Sequence, residues 1–329
     1  MARRVKKRRK SRAQEVELTL ADYQVPGEKR VYWEGVGGLV AIFLIAAYNV
    51  MYFGVGPPLN QNITPDAALY GQWWWPVILI VLPAVTWGIA NWLAMRPRRA
   101  RLKEEGPGAR VLNKNHPRLK AMLAEQARLV GIDEPDMYII EDETPYVYSM
   151  PGKQGVIVAT SAVLDTMNDE ELAVLLAREI GHLKSNHTRM TMVATFMRRA
   201  NVGVRIVLFP MWMMSLFLRG WMDLAEITAD RMAILITERP SLVNATLVKL
   251  AVAADREAQI SRDDLDAYLE AGMETSADSA QMERHFRVGA FLRDQEDLRD
   301  RIEEVTSFLK DGQGQQALEK MRDMKQKLA

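Results

Sequence analysis

No cysteine occurs in the 329 residues. That excludes disulfides and thiolate metal sites, and it fits a domain facing a reducing compartment. Histidine is scarce, with four copies. His116, in N-H-P, reads as a turn or cap residue, and His285 as a surface residue. Acid is missing from residues 1–12, which carry eight basic side chains, so the net charge of +1 conceals a basic arm on a mildly acidic remainder. Charge is missing altogether from Gly35 to Val55 and from Trp73 to Met95, and basic residues are missing from the loop Gly56 to Gln72 between them. No internal repeat is present.

The two uncharged runs are each long enough to cross a bilayer core of roughly 30 Å. The second opens on three tryptophans suited to an interfacial belt and carries Pro83 inside it, where a kink is expected. The competing reading is a pair of buried core helices. Lys29 and Arg30 precede the first run, and Arg96, Arg98, Arg99, Arg101 and Lys103 follow the second. By the positive-inside rule both ends face the cytoplasm and the loop lies outside. The first run starts too late and is too long for a signal-peptide core. The expected location is therefore integral to the inner or plasma membrane of a prokaryote, with both termini and the main domain cytoplasmic. The basic arm reads as a solvated tail, an anionic-lipid anchor or a nucleic-acid patch, and its neighbours favour lipid. A third apolar run, Ile206 to Leu218, contains Pro210 and is too short to span unaided. An interfacial or re-entrant segment is expected there, with Arg198, Arg199, Arg205 and Arg219 able to reach phosphate headgroups, against the alternative of a core hairpin.

From Glu104 the chain changes character. Leu119 to Val130 suits a short amphipathic helix ended near Gly131. Met137–Ile140 and Val156–Ala159 read as strands. Pro145 to Pro151, with proline at each end, suits a sheet edge. Asn168 followed by Glu171 forms a capping box ahead of Leu172, Leu175, Leu176, Ile180 and Leu183, which recur at helical spacing up to about His187. Within that helix, Arg178-Glu179-Ile180-Gly181-His182 is one residue away from H-E-x-x-H, in which two histidines one turn apart bind zinc and the glutamate is the general base. Guanidinium offers no lone pair to a metal and stays charged, so Arg178 repels the ion that a first histidine would hold. Asp223 to Thr237 reads as another helix. Residues 240–329 look helical and charged, with Gly312 and Gly314 setting off a final helix. The methionines between about 190 and 232 read as core or membrane-facing packing.

These segments together resemble the HtpX-like membrane zinc peptidases, the group that also contains the CAAX prenyl proteases. The resemblance covers about residues 112–240: the two strands, the D-E-E-L-A-V-L-L-A-x-E-x-G-H helix and the later Glu226-x-x-x-Asp230 helix. It implies that Glu226 is the third zinc ligand and that Asp230 and His187 act from behind the ligands. Two departures stand out. Arg178 replaces the first histidine. The S-H-P segment before Arg-Ile aligns loosely with Asp294-Gln295-Glu296 before Arg301-Ile302.

With Arg178 in place, His182 and Glu226 are the residual ligands and Glu179 a relic general base. His187, five residues past His182, would point away on a continuing helix. Asp230, one turn from Glu226, is the substitute donor that remains, while Arg178 is expected to pair with Glu226 or Glu179 across the vacated position. The fold class expected is α+β, mainly helical: two amino-terminal transmembrane helices plus a zincin-like peptidase domain with a small sheet. Expected divisions are a basic arm (1–30), a two-helix membrane anchor (31–96), the peptidase-type domain (97–240, with a membrane-associated segment near 203–219) and a helical carboxy-terminal region (241–329). The function that follows is a membrane-anchored pseudopeptidase with no cofactor, acting as a binding, scaffold or regulatory subunit. Its partners would be the bilayer and anionic lipids through the arm, and a protein or peptide held along the edge Tyr146, Val147, Tyr148 and Ser149, such as an active peptidase or a larger membrane complex. Nucleic acid is the weakest partner. The alternative is an active zinc endopeptidase cleaving membrane or misfolded proteins with an altered ligand set.

Overall fold

The computed structural model describes residues 18–54, 74–254 and 296–328. The basic arm, the loop after the first apolar run, His285 and Asp294-Gln295 lie outside the described residues. The elements in order are α1 (Leu20–Tyr23), α2 (Glu28–Gly54), α3 (Trp74–Glu104), a 3₁₀ turn, α4 (Pro117–Val130), β1 (Asp136–Ile140), β2 (Val147–Met150) and β3 (Val156–Thr160). They continue with α5 (Ser161–Thr166), α6 (Asp169–Lys184), α7 (Thr188–Arg199), α8 (Val202–Val207), α9 (Phe209–Phe217), α10 (Arg219–Thr237), α11 (Pro240–Ala254), α12 (Glu296–Phe308) and α13 (Gly312–Leu328). The described residues are mainly helical with one small sheet, as an α+β reading requires. Its residues cluster into two units. The first takes in residues to 25, 102–188 and from 225 onward; the second takes in 26–101 and 189–224.

In the first unit the sheet runs β1-β3-β2, with β1 parallel and β2 antiparallel to β3. The proline-bounded strand is thus at the edge, where missing N–H donors do least harm. β3 supplies Ile157, Val158 and Ala159 to the interior. The helices bury Leu123 and Val130 of α4, Leu172, Leu175, Leu176 and Ile180 of α6, and Met232 to Ile236 of α10 in the same core. His116 takes the N-cap position of α4, ahead of Pro117, and Gly131 ends that helix in the left-handed conformation. Asn168 caps α6 as expected. Its side chain accepts from the Glu171 N–H at 2.9 Å, and its own N–H donates to Glu171 at 2.8 Å. Glu171 is also paired, in the interior, with Lys249 of α11 at 2.9 Å. The last helix begins at Gly312, the glycine boundary expected to set it off. Gly314 falls in its first turn, against the Phe308 carbonyl, where a Cβ has no room.

In the second unit the two uncharged runs form the helices α2 and α3. Among the described residues no helix is long and apolar enough to cross a membrane. Glu28, Lys29, Arg30 and Glu34 occupy the first turns of α2, and a basic run from Arg96 occupies the end of α3. The side chains at 49–54 and 74–80, which would complete the two runs, lie outside the described residues. Val193 and Met197 of α7, Leu208, and Met211 of α9 pack with Ala90 and Ala94 of α3. The third apolar run is two short helices, α8 and α9, meeting at Leu208. Among its neighbouring methionines, Met192, Met197, Met211, Met222 and Met232 are buried.

Candidate functional site

The site is built where α6 and α10 approach. A Cβ on Gly181 would lie 2.9 Å from the Met232 Cβ and 3.2 Å from the Ala229 Cα, so the two backbones come closer than a side chain allows. Residues 178 and 182 are one turn apart on α6, and 226 and 230 one turn apart on α10. The close crossing brings these two pairs together.

Arg178 is the hub. Its Nη2 pairs directly with Glu226 Oε2, its Nε lies 3.1 Å from Asp230 Oδ1, and its Nη1 lies 3.3 Å from Glu179 Oε1. The guanidinium therefore holds all three carboxylates to which the resemblance assigns roles. Burial pulls its pKa down, and the like charge of Arg301 adds to this, while Asp230 and Glu179 oppose it. From so high a starting value the group stays charged.

Arg301 of α12 completes the cluster. It meets Asp230 as a two-toothed fork, Nε to Oδ2 at 2.7 Å and Nη2 to Oδ1 at 2.9 Å. Asp230 is fully buried and is satisfied by two arginines. Arg301 was not among the expected site residues. Its one sequence signal is the Arg301-Ile302 pair, and that pair does not say which carboxylate it meets. Asp294 and Gln295, the aligned counterparts of the missing S-H-P, lie outside the described residues.

Glu179 is buried, with Ser149 of β2 beside it. Burial pushes its carboxyl above the usual range, with Arg178 and Ser149 pulling it back. His182 Nε2 lies 3.6 Å from Glu226 Oε1, and its Nδ1 is buried without a hydrogen-bond partner among the described residues. Burial, followed by the charge of Arg178, holds its pKa well below the ordinary 6.5, so the imidazole is neutral.

His187 does not point away, and the expectation from a continuing helix is corrected. The helix stops at Lys184, and Asn186 adopts a left-handed φ of 57°. The His187 N–H donates to the His182 carbonyl at 3.0 Å and the Asn186 N–H to that of Leu183 at 3.1 Å, a Schellman ending. That turn folds the His187 ring back, edge to face on the His182 ring with centroids 5.6 Å apart. On the edge strand, Ser149 is the residue that reaches the cluster. Tyr146 and Tyr148 stack on one another at 5.9 Å, the Tyr146 hydroxyl donates to Asp142 at 3.0 Å, and Val147 is half-buried.

Do these residues fit a zinc ion? His182 and Glu226 are close enough to share one, but a catalytic zinc takes a third protein ligand. Arg178 occupies that position and is paired with Glu226. Asp230, the substitute donor, has both oxygens engaged by Arg178 and Arg301. Among the described residues no group of three or more His, Asp or Glu is placed to hold a metal ion. The donor set does not fit a catalytic zinc.

Comparison with known proteins bears on the scaffold. The chain is 31% identical over 140 residues to the plastoglobule-localized metallopeptidase 48, chloroplastic, of Arabidopsis thaliana, covering 40% of each. It is 24% identical over 177 residues to protease HtpX homolog 2 of Methanosarcina mazei, covering 45% of this chain and 60% of the relative. It is 35% identical over 80 residues to the protease HtpX homolog of Persephonella marina, covering 24% and 28%. The chain thus spans about half the length of the curated relatives it matches. No solved structure matches. The sequence profile of peptidase family M48 matches residues 113–307, more than half of the chain and the stretch that carries the α6 and α10 motifs together with Arg301. On that match the chain belongs to peptidase family M48.

Proposed function

We propose that this M48 chain is a membrane-anchored pseudopeptidase, which works by binding rather than by hydrolysis. One observation carries the reading: the Arg178 guanidinium pairs with Glu179, Glu226 and Asp230 at once. The carboxylate that would activate water and the carboxylate that would hold the metal are both acceptors of one fixed cation. A buried charge so paired costs several kcal/mol to extract, so the plug is part of the folded state. No cofactor is required.

Membrane anchoring rests on α2 and α3, whose exposed large apolar side chains include Leu44, Ile45, Val85 and Trp92. A soluble surface rarely presents so many together. With the basic flanks this supports an inner or plasma membrane location with both termini cytoplasmic, and an anionic-lipid contact for the basic arm. The partner held by the peptidase unit is a protein or peptide. Strand β2 is at the sheet edge, and an extended segment could be added beside Tyr146, Val147 and Tyr148.

Metal analysis of the purified full chain tests the reading. The expected content is well below one zinc per chain, with no casein-type proteolysis. About one zinc per chain, lost on Glu226→Ala, or a proteolytic activity that disappears in Glu179→Gln, would establish the active-enzyme alternative instead. Zinc uptake by Arg178→His would show that the rest of the ligand set survives.

A further inference from the structure

Residues 185–222 contain five arginines (189, 198, 199, 205 and 219) and no acid, in a chain with 42 acidic residues. The short helices α8 and α9 sit in this stretch and are exposed along an apolar face. Val202, Ile206 and Val207 are 69%, 69% and 72% exposed, and Phe209, Leu216 and Phe217 are exposed as well. With six and nine residues they fall far short of the roughly 20 a helical span needs.

Their seating fixes their depth. The end of α9 packs on the first uncharged turn of α2. A Cβ on Gly35 would lie 3.0 Å from Leu218 Cδ2 and from the Phe217 carbonyl oxygen, one residue past the last charge of that helix, Glu34. Leu208 and Met211 pack with Ala90 and Ala94 of α3, two residues short of its first basic residue, Arg96. Both contacts therefore fall where a long helix changes from charged to apolar. Aromatic rings mark the same level: Tyr32 lies 5.3 Å from both Trp33 and Trp221, and Arg96 lies 4.8 Å over the Trp92 ring. Tyrosine and tryptophan gather at that depth in membrane proteins.

The geometry points to α8–α9 as an in-plane element of the membrane interface that binds anionic phospholipid. Val202, Ile206, Val207 and Phe209 enter the acyl boundary, and Arg198, Arg199 and Arg219 meet headgroup phosphates. Arg205 donates to the Arg198 carbonyl at 2.6 Å and holds the turn that presents them. An amphipathic element of this kind lies about 5–10 Å into the headgroup and acyl boundary. The inference rests on the membrane-anchored reading of α2 and α3.

Because the chain has no cysteine, single labels test it. Val207→Cys and, as a reference for the span, Ile42→Cys carry an environment-sensitive fluorophore in the full chain. The protein is reconstituted in nanodiscs of phosphatidylcholine with or without phosphatidylglycerol. Brominated acyl chains should quench both labels, with position 207 responding to bromines near the headgroup end. Quenching at 207 alone should increase with phosphatidylglycerol. Arg198→Gln and Arg199→Gln should each shift the buried-to-exposed equilibrium at 207 about fivefold. If 42 is quenched by lipid but 207 is quenched by aqueous iodide, this inference fails and the anchor stands. If neither responds to lipid, the anchored reading itself fails. A label at 207 shielded from both quenchers would place a protein partner on the element, and that also overturns the proposal.

Discussion

Arg301 grips Asp230 with two parallel hydrogen bonds, 2.7 Å and 2.9 Å long, although the two residues stand 71 positions apart on different helices. With Arg178 on the other side, one buried carboxylate ties α6, α10 and α12 together. The cross-link at this point of the fold is a knot of two guanidiniums and three carboxylates.

That knot should dominate the local stability. Arg301→Ala leaves Asp230 buried with one partner and is expected to lower stability by about 3 kcal/mol, the cost typical of breaking a buried pair. Arg301→Lys restores the charge but not the fork, so it should recover part of the loss and not all of it. Urea midpoints of the purified variants check the order. Equal midpoints for Arg301→Ala and the parent would remove Arg301 from the site.

Acid should loosen the site through His182. Its folded-state pKa is held below the unfolded value, so the unfolded chain binds the extra proton more readily. Stability from this group is fully present above about pH 6.5 and is lost as pH falls from there through the lowered folded pKa. Glu179 has the opposite sign. With its pKa raised, its contribution is lost as pH rises from the ordinary carboxylate range through the raised value. Denaturation midpoints measured across this range should show an acid-side slope that shrinks in His182→Gln. A slope unchanged by that substitution would assign acid sensitivity elsewhere.

Gly181→Ala adds one methyl group at the crossing of α6 and α10, against Met232 and Ala229. Overpacking of this kind costs about 1–3 kcal/mol and pushes the helices apart. The loss should therefore include the ion pairs of Arg178, visible as a further drop in midpoint that is absent when the same change is made in an Arg178→Met background. Additive losses in that pair of backgrounds would mean that the crossing and the knot are independent.

Much of the scaffold was legible along the chain because its signals are local. The Asn168–Glu171 box marks the start of α6 because both bonds close within one turn, and the prolines at 145 and 151 bound the edge strand because proline withholds a donor. Reading failed where a local signal was extrapolated. His187 was placed by a helical wheel, yet the helix ends at Lys184, and a left-handed Asn186 turns the ring back onto His182. Arg301 was visible as half of a dipeptide, but its partner was not, since nothing in a run of 71 residues encodes which carboxylate it will meet.

The residue types themselves determined that a permanent cation stands one turn before His182 and that no cysteine can replace the missing ligand. These are matters of composition and helical period, which need no neighbours. Tertiary structure alone decided that this cation meets Glu226 and Asp230, that Arg301 closes on the same carboxylate, and that His187 stands behind His182. Such pairings depend on how closely two helices approach, here through the bare backbone at Gly181, and an approach in space has no period along a chain.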